Sequence, residues 1–179
     1  MKSITLITGG ARSGKSSFAL DLVRKNYDRR VFIATAVALD EEMKRRIAQH
    51  QKERGDLFHT LEEAVHLSKA LSAVPPGTEV ALVDCLTVWI GNLYHHFQQN
   101  EPVVRSRLEE FLEATSQVPY DLVLVTNEVG WGIVPENPLA RSFRDMVGYL
   151  NRRVAEKAKS VYLLCCGIPL TLKGGCLHG

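Results

Sequence analysis

Within its first sixteen residues the chain carries Gly9-Gly10-Ala11-Arg12-Ser13-Gly14-Lys15-Ser16, which fits G-x-x-x-x-G-K-[ST] without a mismatch. Ahead of it stands the apolar run SITLIT at 3–8, and behind it a segment of helical period. A strand, a glycine loop and a helix in that order leave little freedom in the local geometry. The glycines let the backbone curl until successive N–H groups converge on a phosphate, and the helix N-terminus adds about half a positive charge. Lys15 reaches the terminal phosphates of a nucleotide, and the Ser16 hydroxyl is a candidate Mg²⁺ ligand. The bland alternative, a tight turn that happens to use glycine, does not account for a full match in this context. The loop is read as nucleotide-binding.

Four more apolar runs read as buried strands: RVFIAT at 30–35, EVALVD at 79–84, DLVLVT at 121–126 and SVYLLC at 160–165. Near-continuous hydrophobicity is what a parallel strand covered on both faces requires. Helical segments lie between them. The first begins near Ser16 with Phe18, Leu22 and Val23 inward. The second runs from about Asp40 to Arg54, with Met43, Ile47 and His50 on one face. A third starts at TLEE, where Thr60 and Glu63 form a capping box. A fourth covers 103–117. The fifth runs from about Leu139 to Lys159 with Leu139, Phe143, Met146, Leu150, Val154 and Ala158 on a core stripe. Strands alternating with helices predict an α/β fold: a doubly wound, mainly parallel sheet with right-handed crossovers, P-loop NTPase-like and RecA-like. With no internal repeat or linker, residues 1–179 form one domain, and the Gly-rich tail GGCLHG is expected to fray.

Composition removes several functions. A net charge of +2 with scattered basic residues gives no footprint for nucleic acid. Cys85, Cys165, Cys166 and Cys176 show no CxxC spacing, so buried thiols are expected rather than a zinc site. MKSITLIT is too short for a signal peptide, and no apolar run approaches the ~20 residues that span a bilayer. A cytoplasmic protein is expected.

Two further residues carry chemistry. Asp84 closes VALVD, where many P-loop proteins place a carboxylate that supports the metal through water; a strand-end Asp capping a turn is the alternative. Cys85 follows, where many hydrolytic ATPases carry a glutamate that activates water, which leans towards group transfer. His50 has two readings. It is a histidine packed beside Met43 and Ile47, or it is a nucleophile among Lys44, Arg45, Arg46, Lys52 and Arg54 that attacks an α-phosphate. The attacking imidazole must be neutral, as roughly three quarters would be at pH 7 from a reference pKa of about 6.5. The residues alone leave both readings open.

TGGARSGKS, IATA followed by DEEMKRRIAQHQKER, LVDCLTVWIGNL, NEVGWGIVPENPLARSFRDMVGYLNRRVA and GIPLTLK together resemble one family. It is the bifunctional adenosylcobinamide kinase/adenosylcobinamide-phosphate guanylyltransferase family of cobalamin biosynthesis, and the similarity runs from about Ile4 to Lys173. The phosphate loop alone is generic, whereas no periodicity or turn rule generates NEVGWGIVPENPLAR. The resemblance implies two reactions. A nucleoside triphosphate phosphorylates the aminopropanol hydroxyl of adenosylcobinamide. GTP then guanylylates a histidine, which passes GMP to adenosylcobinamide phosphate to give adenosylcobinamide-GDP.

The same resemblance implies GTP, ATP and Mg²⁺ as cofactors, a corrinoid partner and a homo-oligomer, a trimer. It makes His50, after Arg46-Ile47-Ala48-Gln49, the nucleophile, with Lys15 catalytic in the loop. It places nucleotide contacts at Gly9–Ser16, at Ala34, Thr35 and Ala36, at Gln51, Lys52, Glu53 and Arg54, at Glu62 and at Asp84, with metal contacts at Ser16 and Asp84. Arg12 or Arg54 would stabilise developing charge. His59, His66, His95, His96 and His178 match nothing equivalent and keep structural or surface readings. The segment NEVGWGIVPENP is either a structured loop held by Pro135 and Pro138, or it sets Glu128 and Trp131 near the corrinoid or a subunit contact. The remaining alternatives are a P-loop kinase of another small molecule without the guanylyl step, and a nucleotide switch without turnover.

Overall fold

The computed structural model describes residues 2–38 and 41–175, with the side chains of 42, 43, 46, 49, 50, 53, 54 and 56 outside the described set. The elements in chain order are β1 (Ile4–Gly9), α1 (Lys15–Asn26), β2 (Arg30–Ala34), α2 (Glu41–Arg54), a 3₁₀ turn (Gly55–Leu57), β3 (His59–Glu62), α3 (Leu67–Ser72), β4 (Val80–Asp84), α4 (Leu86–His96), α5 (Glu101–Ala114), β5 (Asp121–Val125), α6 (Pro138–Lys157), β6 (Ser160–Cys165) and β7 (Ile168–Lys173). They build one seven-stranded sheet in the order β3-β2-β4-β5-β1-β6-β7. Every pairing is parallel except β6 with β7.

The apolar runs are continuous because both faces of the sheet are covered. Leu6, Val31, Ile33, Ala81, Val83, Leu122 and Leu124 point to a large core shared with α3, α4, α5 and α6. Their neighbours Ile7, Phe32, Val80, Leu82, Val123 and Val125 point to a smaller core under α1 and Phe58. The period of two along each strand sorts the residues between the faces. Trp89 anchors the larger core: it is 1% exposed, its indole N–H donates to the Val65 carbonyl at 2.8 Å, and its ring centroid lies 5.0 Å from that of Phe111. Trp89→Ala is expected to cost about 3–5 kcal/mol, the range for deleting a buried large aromatic, measured as a lowered urea midpoint at unchanged m-value.

Several elements differ from the sequence reading. TLEE is not a helix start. Thr60 and Leu61 pair with Phe32 and Ile33 in β3, and the capping acid acts one turn later: Glu63 Oε1 accepts from the backbone N–H of Val65 and His66, both at 2.8 Å, ahead of α3. The fourth predicted helix starts earlier, at Glu101, with the Asn100 side chain as its cap. In α1 the fully buried apolar residues are Ala19, Leu20 and Val23, with Phe18 and Leu22 only half-buried. The α6 stripe becomes core only past its first turns, since Leu139 is exposed. Two elements, α4 and β7, have no counterpart in the sequence reading. Cys165 and Cys166 are exposed, correcting the expectation of buried thiols. Asp40, and Cys176 and His178 in the tail, lie outside the described residues. Among those described, no helix is long and apolar enough to cross a membrane.

Candidate functional site

Register brings the predicted contacts to one edge. Ala34 at the end of β2 sits opposite Glu62 on one side and Asp84 on the other. Asp84 sits opposite Val125, and Val125 opposite Ile7, two residues before the loop begins at Gly9. The carboxyl ends of β1, β2, β3, β4 and β5 therefore share one rim, where ligands bind in open α/β sheets.

The loop from Gly9 is held closely from below. A Cβ at Gly9 would stand 2.4 Å from the Leu164 carbonyl oxygen, so only glycine fits there. The β6–β7 turn supports the far side, where Gly167 N–H donates to the Ser13 carbonyl at 3.1 Å. Arg12 lies exposed at the tip. Helix α1 then starts from Gly14 with no side-chain cap, whereas Cys85, Asn100 and Asn137 cap α4, α5 and α6. The N–H groups of its first turn stay open towards the loop and suit an anion.

Lys15 is buried, and its Nζ donates to the Gly10 carbonyl at 2.6 Å and to Ser13 Oγ at 3.4 Å. Burial lowers its pKa from the ordinary lysine value, while the neighbouring Cys85 and Asp84 oppose that shift. The loop thus presents an ammonium whose charge is poorly screened by water.

Ser16, in the first turn of α1, and Asp84, at the end of β4, are both half-buried. Among the described residues no three His, Cys, Asp or Glu side chains cluster to cage a metal. One hydroxyl and one carboxylate are hard oxygen donors. They suit Mg²⁺, which keeps several waters and takes phosphate oxygens, and do not suit zinc. Cys85 supplies no base: its Sγ accepts from Val88 N–H at 3.4 Å, and burial pushes its pKa up to about 12.

The other predicted contacts divide. The Thr35 side chain is fully buried and spent inside the fold, donating to the Cys85 carbonyl at 2.9 Å and accepting from Cys85 N–H at 2.8 Å. Its part is to clamp the end of β2 to the end of β4, with Asn92 Nδ2 donating to its carbonyl at 2.8 Å. Ala34 and Ala36 are half-buried and Glu62 is exposed on the rim.

Helix α2 carries His50, Gln51, Lys52, Glu53 and Arg54. Of these, Gln51 and Lys52 are exposed, while the side chains of His50, Glu53 and Arg54, like that of Met43, lie outside the described residues. Every described side chain of α2 except the half-buried Ile47 is exposed. None of these described side chains joins either core cluster. His59, His95 and His96 lie exposed and His66 half-buried.

The buried hydrogen bonds around Glu128 escaped sequence reasoning, which named that residue only as near the corrinoid or a subunit contact in one of two readings of its segment. Thr8 Oγ1 donates to Glu128 Oε1 at 2.6 Å, and Asn151 Nδ2 donates to the same oxygen at 3.1 Å. Asn151 Oδ1 accepts from Thr126 at 2.7 Å, and Thr126 shares a 3.2 Å hydrogen bond with Thr87. The one legible signal was an asparagine beside Leu150 on the core side of a helix. Past Glu128 the segment turns outward: Trp131 is 73% exposed and Ile133 97%.

The sequence pattern of the family described as "Cobinamide kinase / cobinamide phosphate guanyltransferase" matches residues 5–172. The chain is 39% identical over 169 residues to the bifunctional adenosylcobalamin biosynthesis protein CobP of Pseudomonas aeruginosa, covering 94% of this chain and 96% of that protein. It is 37% identical over 179 residues to the bifunctional adenosylcobalamin biosynthesis protein CobU of Escherichia coli, covering 94% and 98%. Among solved structures it resembles the RadB recombinase with a TM-score of 0.52 at 12% identity, over 90% of this chain and 73% of that one, a likeness of fold alone.

Proposed function

The chain belongs to the cobinamide kinase / cobinamide phosphate guanyltransferase family, and from that premise we propose that it performs two transfers on one scaffold. In the first, the γ-phosphate of a nucleoside triphosphate passes to the aminopropanol hydroxyl of adenosylcobinamide. In the second, His50 takes GMP from GTP with release of pyrophosphate and hands it to adenosylcobinamide phosphate, giving adenosylcobinamide-GDP. A cytoplasmic homotrimer belongs to the same reading.

The observation that carries this reading is the buried Lys15 inside a phosphate loop whose helix start is uncapped, with Asp84 next to it on the rim. For phosphoryl transfer, positioning and charge neutralisation are nearly all the catalysis a protein supplies. Lys15 and the loop amides hold the transferring phosphoryl group. Ser16 and Asp84 would hold Mg²⁺, which supplies further neutralisation of the phosphate oxygens when bound. For the second reaction the same loop steadies the departing pyrophosphate, while the histidine splits one difficult displacement into two easier ones. The neutral, high-pKa thiol of Cys85 supplies no base at the position after Asp84, where a hydrolytic enzyme would carry one.

The test is turnover of the corrinoid itself. With Mg²⁺, ATP and GTP, mass spectrometry is expected to show adenosylcobinamide gaining a phosphate and then a GMP. Transfer of the γ-phosphate alone, with no GMP on protein or product, would leave a kinase only. Nucleotide-driven assembly without turnover would leave a switch.

A further inference from the structure

We propose that Glu128 is the general base of the kinase step, taking the proton of the acceptor hydroxyl, and that it has no part in guanylyl transfer; this rests on the two-reaction reading above. Glu128 stands just past β5, the strand between the one that ends in Asp84 and the one that runs into the phosphate loop. Its backbone N–H donates to the Gly9 carbonyl at 3.0 Å, so its position is fixed to the first residue of the loop.

Four polar side chains are buried to 7% exposure or less to hold this carboxylate: Thr8, Thr87, Thr126 and Asn151. Such burial is tolerated only when the hydrogen bonds are satisfied, and here they are satisfied by one another. Thr87 Oγ1 also accepts from Asn127 N–H at 2.8 Å, and Asn151 Nδ2 also donates to the Asn127 carbonyl at 3.0 Å. The chain of bonds ends on a single oxygen, Oε1, which takes both Thr8 and Asn151. Among the described residues Oε2 has no hydrogen-bond partner. A glutamine would satisfy Thr8 and Asn151 equally well through its own oxygen. What a carboxylate adds is a second oxygen able to accept a proton, at the rim beside the loop.

The chemistry assigns that oxygen to one of the two reactions. In the kinase step the acceptor is an alcohol. Its oxygen bonds to the γ-phosphorus, the bond from that phosphorus to the β–γ bridging oxygen breaks, the nucleoside diphosphate leaves, and the hydroxyl proton goes to Glu128 Oε2 and on to solvent. In guanylyl transfer the acceptors are an imidazole lone pair and then a phosphate anion, and neither brings a hydroxyl proton. The other rim carboxylates are placed for other work: Asp84 stands beside Lys15, and Glu62 ends β3 at the outer edge of the sheet. The exposed Trp131 and Ile133 follow Glu128 within five residues.

Glu128→Gln tests this. The phosphorylation kcat is expected to fall about 100-fold or more with the KM for nucleotide unchanged. GMP adduct formation, and transfer of GMP to corrinoid phosphorylated beforehand, should run at the wild-type rate and serve as the folding control. Glu128→Asp, which keeps a carboxylate, should recover part of the kinase loss. A Gln protein that phosphorylates at about the wild-type rate, a parallel loss of both reactions, or an Asp protein slower than Gln would each overturn the assignment. Failure of the wild-type protein itself to phosphorylate the corrinoid or accept GMP would instead count against the two-reaction reading.

Discussion

A His50→Ala protein given GTP and Mg²⁺ is expected to acquire no GMP and to release no pyrophosphate, while still phosphorylating adenosylcobinamide from ATP at the wild-type rate. Apart from the half-buried Ile47, the described side chains of α2 are exposed and join neither core cluster, and Lys44, Arg45 and Lys52 flank His50 in its sequence. The helix follows β2 in the chain, and the last residue of β2 pairs with Asp84 at the carboxyl rim of the sheet, the rim that also carries the phosphate loop. Alanine removes the lone pair that would attack the α-phosphorus and leaves those cations in place. Removal of a covalent nucleophile elsewhere costs on the order of 10⁶ in rate, so the guanylyl activity should drop to background. The wild-type adduct should be acid-labile and base-stable, as a phosphorus–nitrogen bond is. An alanine protein that still becomes labelled would move the nucleophile to another residue, and simultaneous loss of the kinase would make His50 structural.

The parts of the molecule legible in the sequence are those whose physics is local. β1, β2, β4, β5 and β6 announced themselves as continuous apolar runs because both sheet faces are covered. The phosphate loop was legible because its glycines answer to backbone geometry alone. β3 was not: HTLE is short and half polar, and only pairing with β2 makes it a strand. β7 carries Pro169, which is tolerated because the strand pairs on one side only, at the edge of the sheet. Its turn depends on Cys166 and Gly167 at φ 52° and 81°. Helix α4 hid because LTVWIGNLYHH is apolar on most sides and shows no polar face to mark a period. The Glu128 network lay furthest from view. Thr8 and Glu128 are separated by 120 positions and meet only once β5 has docked beside β1. No local pattern predicts that bond, and the sequence named Glu128 only in one of two readings of its segment, as near the corrinoid or a subunit contact.

Lys15→Ala is expected to slow both reactions, each by about 10²- to 10³-fold, the scale for deleting one preorganised charge-stabilising donor. The ammonium is buried and fixed to Gly10 and Ser13, so little reorganisation is needed when charge develops on the phosphate oxygens. Burial lowers its pKa, with Cys85 and Asp84 opposing that shift. The loop amides and the uncapped start of α1 remain in the alanine protein. Nucleotide should still bind, and the loss should fall mainly on kcat, as for an interaction stronger in the transition state than in the ground state. Lys15→Arg should not restore activity, because a planar guanidinium cannot replace a compact ammonium enclosed by the loop. The denaturation midpoint should stay near wild type, since the lost bonds to Gly10 and Ser13 and the attraction of Asp84 are offset by removal of a buried charge. Phosphorylation and adduct formation must be timed separately on the same preparation. If Lys15→Ala loses the kinase yet takes up GMP at the wild-type rate, the two nucleotides do not share this loop, and GTP must bind the guanylyl site by contacts centred on α2.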